Sequence, residues 1–307
     1  MMERAALVTA AAATIARGSQ SFAAASKLFA PATRERAWLL YAWCRAADDL
    51  TDAQELGHDA RTQPGPGEAQ ARLEALTFAA LDGAADVPIP FAALRQVACE
   101  TNLPRRLIED HLAGFALDAA GWRPRTEDDL LRYCYHVAGS VGCMMAVIMG
   151  VSADDEDTLD RACDLGLAFQ LANIARDIVP DAQVGRCYLP ADWLQAEGLD
   201  EADLIRPEAR LRIARLARRL VLLARPYRRS ARVGAARLPL RSRLAVLAAD
   251  GIYGAIGEMV LKLGEQAWDQ RVRTGTLRKV GLLARAGLVS ILPPSPAPRD
   301  MLWTRPR

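Results

Sequence analysis

Apolar residues recur at three-to-four spacing through most of this chain, and that periodicity narrows the fold more than any other feature. It runs through 32–52, 104–117, 126–150, 153–180, 207–224 and 239–264, each long enough for several turns of amphipathic helix. Period-two alternation, the mark of a half-buried strand, is scarce. Breaks fall at Pro/Gly clusters, 63–67 (QPGPG), 121–124 (GWRP) and 292–298 (LPPSPAP). No repeat and no shift of composition divides the chain. The pattern predicts an all-α fold in one domain over 1–307, with its core at about 17–275 and a loose Pro-rich tail over 285–307.

Composition agrees with a globular chain that buries a sizeable core. With 307 residues, 51% of them hydrophobic and 25% charged, disorder, collagen-like fibre and a disulfide-framed miniprotein are excluded. The six cysteines form no CxxC pair and only His58, His111 and His136 could join them, so a zinc site lacks material. Single scattered cysteines read as small buried hydrophobes of a reducing cytoplasm. Residues 5–16 (AALVTAAAATIA) read as an Ala-rich helix rather than a secretory signal, because Glu3 precedes them and no cleavage site follows. Residues 133–153 carry no formal charge, but their tyrosines, His136, Ser140 and glycines favour a buried, cavity-lining helix over a membrane span.

Charge is spread unevenly. Residues 206–243 hold thirteen arginines against one glutamate. A solvated helix face is the plain reading, and peripheral contact with an anionic membrane is the sharper one, shared with the amphipathic 278–292 segment. Nucleic acid is not expected, since no interleaved aromatics or binding motif accompany the arginines.

Chemistry concentrates in two acidic helices. In YAWCRAADDLTD (41–52), Asp48 and Asp52 lie one turn apart on one face, and Tyr41 and Arg45 extend that stripe backwards. In FQLANIARDIVPDAQVGRCYLP (169–190), Gln170, Asn173, Asp177 and Asp181 repeat at steps of three or four. Stacked carboxylates repel and buried amides are costly, so two such rows within apolar sequence call for a cation. Oxygen ligands without His or Cys suit Mg²⁺, with Mn²⁺ as a substitute, and magnesium favours a few carboxylates plus substrate phosphates. Arg45 and Arg176 beside the acids suit a diphosphate. Pro180 is expected to interrupt the second helix just before Asp181.

The sequence resembles the squalene/phytoene synthases over about residues 17–275. The likeness is carried by GSQSF (18–22), YAWCRAADDLTD (41–52), LRYCYHVAGSVG (131–142), the block from Gln170 to Pro190 and IYGAIG (252–257). The resemblance implies the all-α isoprenoid synthase fold, a helical bundle around a central cavity with two Asp-rich motifs facing across it. It places metal binding at Asp48, Asp52, Asn173, Asp177 and Asp181. Diphosphate and substrate contacts fall on Gly18, Ser19, Gln20, Ser21, Tyr41, Arg45, Gln170, Arg176 and Tyr253. Asp49 takes a supporting place. The family often carries a basic residue where this chain reads Gly18-Ser19-Gln20, which leaves backbone amides there in place of a cation.

The implied reaction is the head-to-head joining of two geranylgeranyl diphosphates through a cyclopropylcarbinyl diphosphate to phytoene, without NADPH, in the cytoplasm or peripherally at the inner membrane face. A C15 head-to-head synthase of squalene or diapophytoene type is the nearest alternative. A terpene cyclase fits the first motif but not the N-x-x-x-D-x-x-x-D of the second. A non-catalytic scaffold would tend to lose the aspartates. Small side chains at Ala23, Ala24, Ala25 and Ser26 are expected to leave room for a long prenyl tail, and Gly139, Ser140 and Gly142 to let a helix or a chain approach closely. His136 reads as a core histidine.

Overall fold

The helical periodicity is realised almost throughout. A computed structural model describes residues 2–18, 20–51, 54–55, 58–60, 65–272 and 274–307. The chain forms two compact units, one from the N-terminus to Ala120 with Met144–Asp155, the other Gly121–Cys143 with Glu156–Arg307.

The first unit contains α1 (Arg4–Gly18), α2 (Gln20–Ser26), α3 (Pro31–Thr51), α4 (Pro66–Leu81), α5 (Ile89–Thr101) and α6 (Arg105–Ala119). A short antiparallel pairing of Gln54–Glu55 with His58–Ala60 is the one extended element among the described residues. The Ala-rich N-terminal segment is a helix that buries Leu7, Ala11 and Ile15, a stripe at four-residue spacing. Arg4 of α1 donates to Glu35 of α3 at 2.7 Å and to Glu100 of α5 at 2.6 Å, and Arg36 donates to Glu100 at 2.9 Å. Burial opposes ionisation of Glu100, but these donors and Gln96 hold its carboxyl down to about 2. Trp43 of α3 is fully buried; its indole N–H meets the Thr77 hydroxyl at 3.2 Å, and the His111 ring stands edge-on to it at 5.4 Å.

The second unit is built on α7 (Glu127–Cys134), α9 (Glu156–Gln183), α10 (Ala191–Ala196), α11 (Arg210–Ala235), α12 (Leu240–Leu263) and α13 (Thr276–Ser290); α8 (Ser140–Ile148) begins in it. Between α7 and α8, Tyr135–Gly139 forms a π-helical turn. This turn presses on α9. A Cβ on Gly166 would stand 2.3 Å from the Ala138 carbonyl oxygen, and one on Gly142 would stand 2.4 Å from that of Ala162. Gly139 and Gly142 therefore serve helix packing, one of the two readings their sequence left open. Ser140 is fully buried and donates to the His136 carbonyl at 2.7 Å. His136 itself is half-buried beside Tyr135, not enclosed in the core as expected.

One proline departs from expectation, and a second lies inside a helix that outruns its apolar repeat. Helix α9 continues through Pro180 to Gln183, and α11 runs through Pro226 to Ala235 rather than ending near 224. Each proline removes one backbone donor, which weakens a helix by about 3 kcal/mol. The burial of Leu171, Ile174, Ile178 and Val179 on α9, and of Leu216, Leu220 and Tyr227 on α11, outweighs that local cost. Asp181 consequently stands on an intact helix. The chain then turns sharply at Gly185, whose φ of 74° favours glycine, and the Arg186 amide closes on the Asp181 carbonyl at 2.8 Å.

The C-terminal tail is docked rather than loose. Arg299 donates to Asp164 at 2.8 and 2.9 Å and to Asp160 at 3.1 Å, while Arg305, 2% exposed, lies 2.9 Å from Asp160. The Trp303 indole reaches Asp128 at 3.0 Å. Burial raises the pKa of Asp164 despite Arg299, so this carboxylate depends on the tail for its countercharge.

Helix α12, continued to Trp268, is the one described segment long and apolar enough to cross a membrane. It buries ten residues in the second unit, among them Asp250, which receives Arg232 at 2.9 Å and also Arg228. Packing within the second unit accounts for part of its hydropathy.

Candidate active site

The first row of candidate residues lies on α3. Arg45 donates from Nε and Nη2 to a single Asp49 oxygen, at 3.0 and 2.6 Å, and its Nη1 stands 3.7 Å from Asp48. Asp49 thus fixes the guanidinium, while Asp48, with 46% of its side chain exposed, turns outward. Tyr41 lies one turn before Arg45, its ring 5.5 Å from that of Phe22. Burial raises the Tyr41 pKa against the pull of Arg45. Gly18 closes over the stripe: a Cβ there would stand 2.6 Å from the Tyr41 hydroxyl oxygen and 3.7 Å from Arg45 Cδ. Its role is clearance.

Four expected contacts of this row lie beyond what is described. Ser19 and Asp52 fall outside the described residues; for Gln20 and Ser21 only the helical backbone of α2 is described. Ser26 departs from expectation. It is fully buried, accepts the Trp38 indole N–H at 2.9 Å and donates to the Ala23 carbonyl at 2.8 Å. It is a packing residue whose surroundings are filled by Trp38, and it does not make room for a substrate chain.

The second row lies on α9. Fourteen of the 28 residues of this helix are buried, and Gln170, Asn173, Asp177 and Asp181 lie half-buried along one stripe of its other side. Arg176 chelates Asp177, with Nε on one carboxylate oxygen at 2.9 Å and Nη2 on the other. Tyr253 of α12 stacks on Phe169 at 4.1 Å with the rings 15° from parallel; burial raises its pKa and the nearby Arg176 opposes that rise. Asp181 is pushed up to about 6, first by burial and then by the charge of Asp177, against the partial relief of Arg186, Arg176 and Arg271.

Two cations in this row escape sequence reasoning. Arg271, in the loop after α12, approaches Asp177 to 3.7 Å with 60% of its side chain exposed, and Arg186 acts on Asp181 from the turn that ends α9. Arg186 lies inside the block that carries the resemblance, but no helical spacing ties it to the carboxylates. Arg271 is linked only by tertiary folding. The turn that carries Arg186 is fixed by a ladder of rings, Trp122 on Tyr133 at 5.7 Å and Tyr133 on Tyr188 at 4.9 Å, and by Arg123 donating to the Gly185 carbonyl at 2.5 Å.

Whether these rows suit magnesium is decided by their donors. Among the described residues no three His, Cys, Asp or Glu side chains converge into a ready cage. A hard octahedral cation needs none, because it takes a few carboxylates and completes its shell with substrate oxygens and water. Burial together with the charge of Asp177 raises the Asp181 carboxyl to about 6, the electrostatic signature of a pair short of positive charge. Asp177, Asp181 and the Asn173 amide therefore fit a divalent cation, and the guanidinium groups of Arg176, Arg186 and Arg271 are donors of the kind a diphosphate takes.

Residues 15–278 match the squalene/phytoene synthase family profile. The chain is 51% identical to a 15-cis-phytoene synthase of Pantoea ananas over 302 residues, covering 95% of this chain and 96% of that protein. It is 48% identical to a 15-cis-phytoene synthase of Paracoccus over 298 residues, covering 95% of each. Among solved structures, a dehydrosqualene synthase superimposes with a TM-score of 0.80 at 26% identity, covering 92% of this chain and 96% of that one. The squalene synthase HpnC of Alicyclobacillus acidocaldarius superimposes with a TM-score of 0.74 at 22% identity, covering 84% and 94%. The helices described above thus form the isoprenoid synthase fold.

Proposed function

Since the chain belongs to the squalene/phytoene synthase family, we propose that it is a phytoene synthase, a prenyltransferase of carotenoid biosynthesis that joins two geranylgeranyl diphosphates head to head. The observation that carries this reading is identity near one half, along nearly the whole chain, to proteins named for that activity. The aspartate rows on α3 and α9 support it.

We assign metal binding to Asp48, Asp52, Asn173, Asp177 and Asp181. Bound there, Mg²⁺ would supply Lewis-acid neutralisation of the diphosphate oxygens as the allylic C–O bond ionises. The chain's own residues do the remainder. Arg45, aimed by Asp49, and Arg176, with Arg186 and Arg271 beside it, take up negative charge as diphosphate departs. Arg176 must exchange part of its hold on Asp177 for substrate oxygen, so substrate binding is coupled to release of that carboxylate. Tyr41, Tyr253 and Gln170 border these groups and orient the substrate. The reaction ionises twice: one allylic diphosphate loses its diphosphate and couples to the other with loss of a proton, and the resulting cyclopropylcarbinyl diphosphate loses the second diphosphate, rearranges and gives up a second proton. Apolar walls must keep water from the cations, or alcohols would form.

No step of this scheme draws on NADPH. A C40 hydrocarbon leaving the protein dissolves only in a bilayer, so we place the chain in the cytoplasm, peripherally at the inner membrane face. The test is incubation with geranylgeranyl or farnesyl diphosphate and Mg²⁺, with and without NADPH, followed by hydrocarbon analysis. Phytoene from the C20 substrate, unaffected by NADPH, is expected. A C15-derived product formed in preference would overturn the assignment.

A further inference from the structure

Two segments have the basic, apolar character of a membrane contact, and the structure separates them. On the stretch from Arg206 to Arg243, seven of the thirteen arginines are committed to carboxylates. Arg206 pairs with Asp203 at 2.8 Å, Arg215 with Glu197 at 2.8 Å, Arg219 with Glu127 at 3.2 Å and Arg225 with Glu258 at 2.9 Å. Arg228 and Arg232 share Asp250, and Arg237 pairs with Asp157 at 2.5 Å. Two more, Arg212 and Arg243, donate to backbone carbonyls. Most of that charge is consumed inside the second unit.

Helix α13 is different. It docks on α12 through Leu282, which meets Gly251, and through buried Ala286. Leu277, Val280, Leu288 and Ile291 recur at helical spacing away from that contact, and they are 90%, 61%, 62% and 71% exposed. A helix docked by one apolar face seldom keeps a second one in water. Arg278, Lys279 and Arg285 flank the stripe, and no acidic residue occurs from Thr276 to Arg299. Arg278 and Arg285 also line a cleft of about 260 Å³ beside α12 whose two acids, Glu258 and Asp250, are taken by Arg225, Arg228 and Arg232. Among the described residues neither Arg278 nor Arg285 forms an ion pair.

We propose that α13 is the membrane-docking surface of this protein, laying its outer apolar stripe into an anionic bilayer while Arg278, Lys279 and Arg285 meet the lipid phosphates. The charge selects the partner: an apolar stripe on a helix whose only charged residues are cations, with the acids of the adjoining cleft already paired to arginines, is complementary to anionic lipid and repels a second copy of itself. The inference rests on the peripheral location given above and deepens it by naming the surface. It is read by binding alone, so a failed product assay and a failed docking assay are distinct results.

The experiment is co-sedimentation of the full chain with phosphatidylcholine vesicles with and without phosphatidylglycerol. Binding is expected to be at least about tenfold stronger to the anionic vesicles and to weaken with salt. The double variant Leu277→Ser/Leu288→Ser, at exposed positions, should lose about tenfold in binding with an unchanged thermal melt. Arg278→Gln/Arg285→Gln should remove most of the preference for anionic lipid, and the α11 control Arg218→Gln/Arg229→Gln should stay within about twofold of the parent. The proposal is overturned if the parent ignores anionic vesicles or if only the α11 variant loses binding. It is equally overturned if sedimentation shows a dimer that Leu277→Ser/Leu288→Ser dissolves.

Discussion

Asp181 should make the metal-free protein less stable, and replacing it with asparagine should reveal by how much. Its carboxyl is raised from the ordinary 3.8 to about 6 by burial and by the adjacent charge of Asp177. Below 3.8 the group is protonated in both folded and unfolded chains and contributes nothing. Between the two midpoints the unfolded chain has released its proton while the fold retains it, so stability falls as pH rises, and above about 6 the full penalty stands. At ~1.36 kcal/mol per pH unit the penalty approaches about 3 kcal/mol, and solvent contact at this half-exposed side chain reduces it to about 1–2 kcal/mol. An asparagine at this position keeps the shape without the charge. Urea melts in EDTA should therefore find Asp181→Asn more stable than the parent by about 1–2 kcal/mol at pH 8, with the gap narrowing toward pH 4. Added Mg²⁺ and diphosphate should stabilise the parent more than the variant. A variant less stable at pH 8, or a difference indifferent to pH, would refute the electrostatic reading of this row.

Three further outcomes follow from the same geometry. Asp48→Ala and Asp177→Ala should each lower turnover by at least about a hundredfold while leaving far-UV circular dichroism nearly unchanged, since neither side chain belongs to the core. Arg299→Met removes the two hydrogen bonds that Arg299 gives buried Asp164 and should cost about 3–5 kcal/mol in a thermal or urea melt, whereas a loose tail would cost nothing. Gly166→Ala drives a methyl group to 2.3 Å from the Ala138 carbonyl oxygen and should destabilise by about 1–3 kcal/mol, with the near-UV signal of the surrounding aromatics disturbed.

Most of the helices were legible because their apolar spacing is local: residues three and four apart share a face whatever packs upon it. The boundaries at Pro180 and Pro226 were not. A proline's cost is written in the sequence, but the packing that outweighs it comes from distant chain. Ser26 shows the same gap in reverse, since a small polar residue reads as free space until Trp38 is found lying against it. The tail over 292–307 looks loose by its prolines and is held by Arg299 and Arg305, whose partners on α9 lie more than a hundred residues away.

The sequence by itself determined the two oxygen-rich stripes, because Asp48 on α3 and Gln170, Asn173, Asp177 and Asp181 on α9 acquire a common face as soon as the helix forms. Tertiary structure alone decided the electrostatic state of those stripes. Arg45 is bound to Asp49, Arg176 clasps Asp177, and Arg186 and Arg271 bear on the carboxylates from a turn and a loop. Helical register is set by bonds within a few residues, but the field at a carboxylate sums every charge and every displaced water around it, and those are brought there only when the chain has folded.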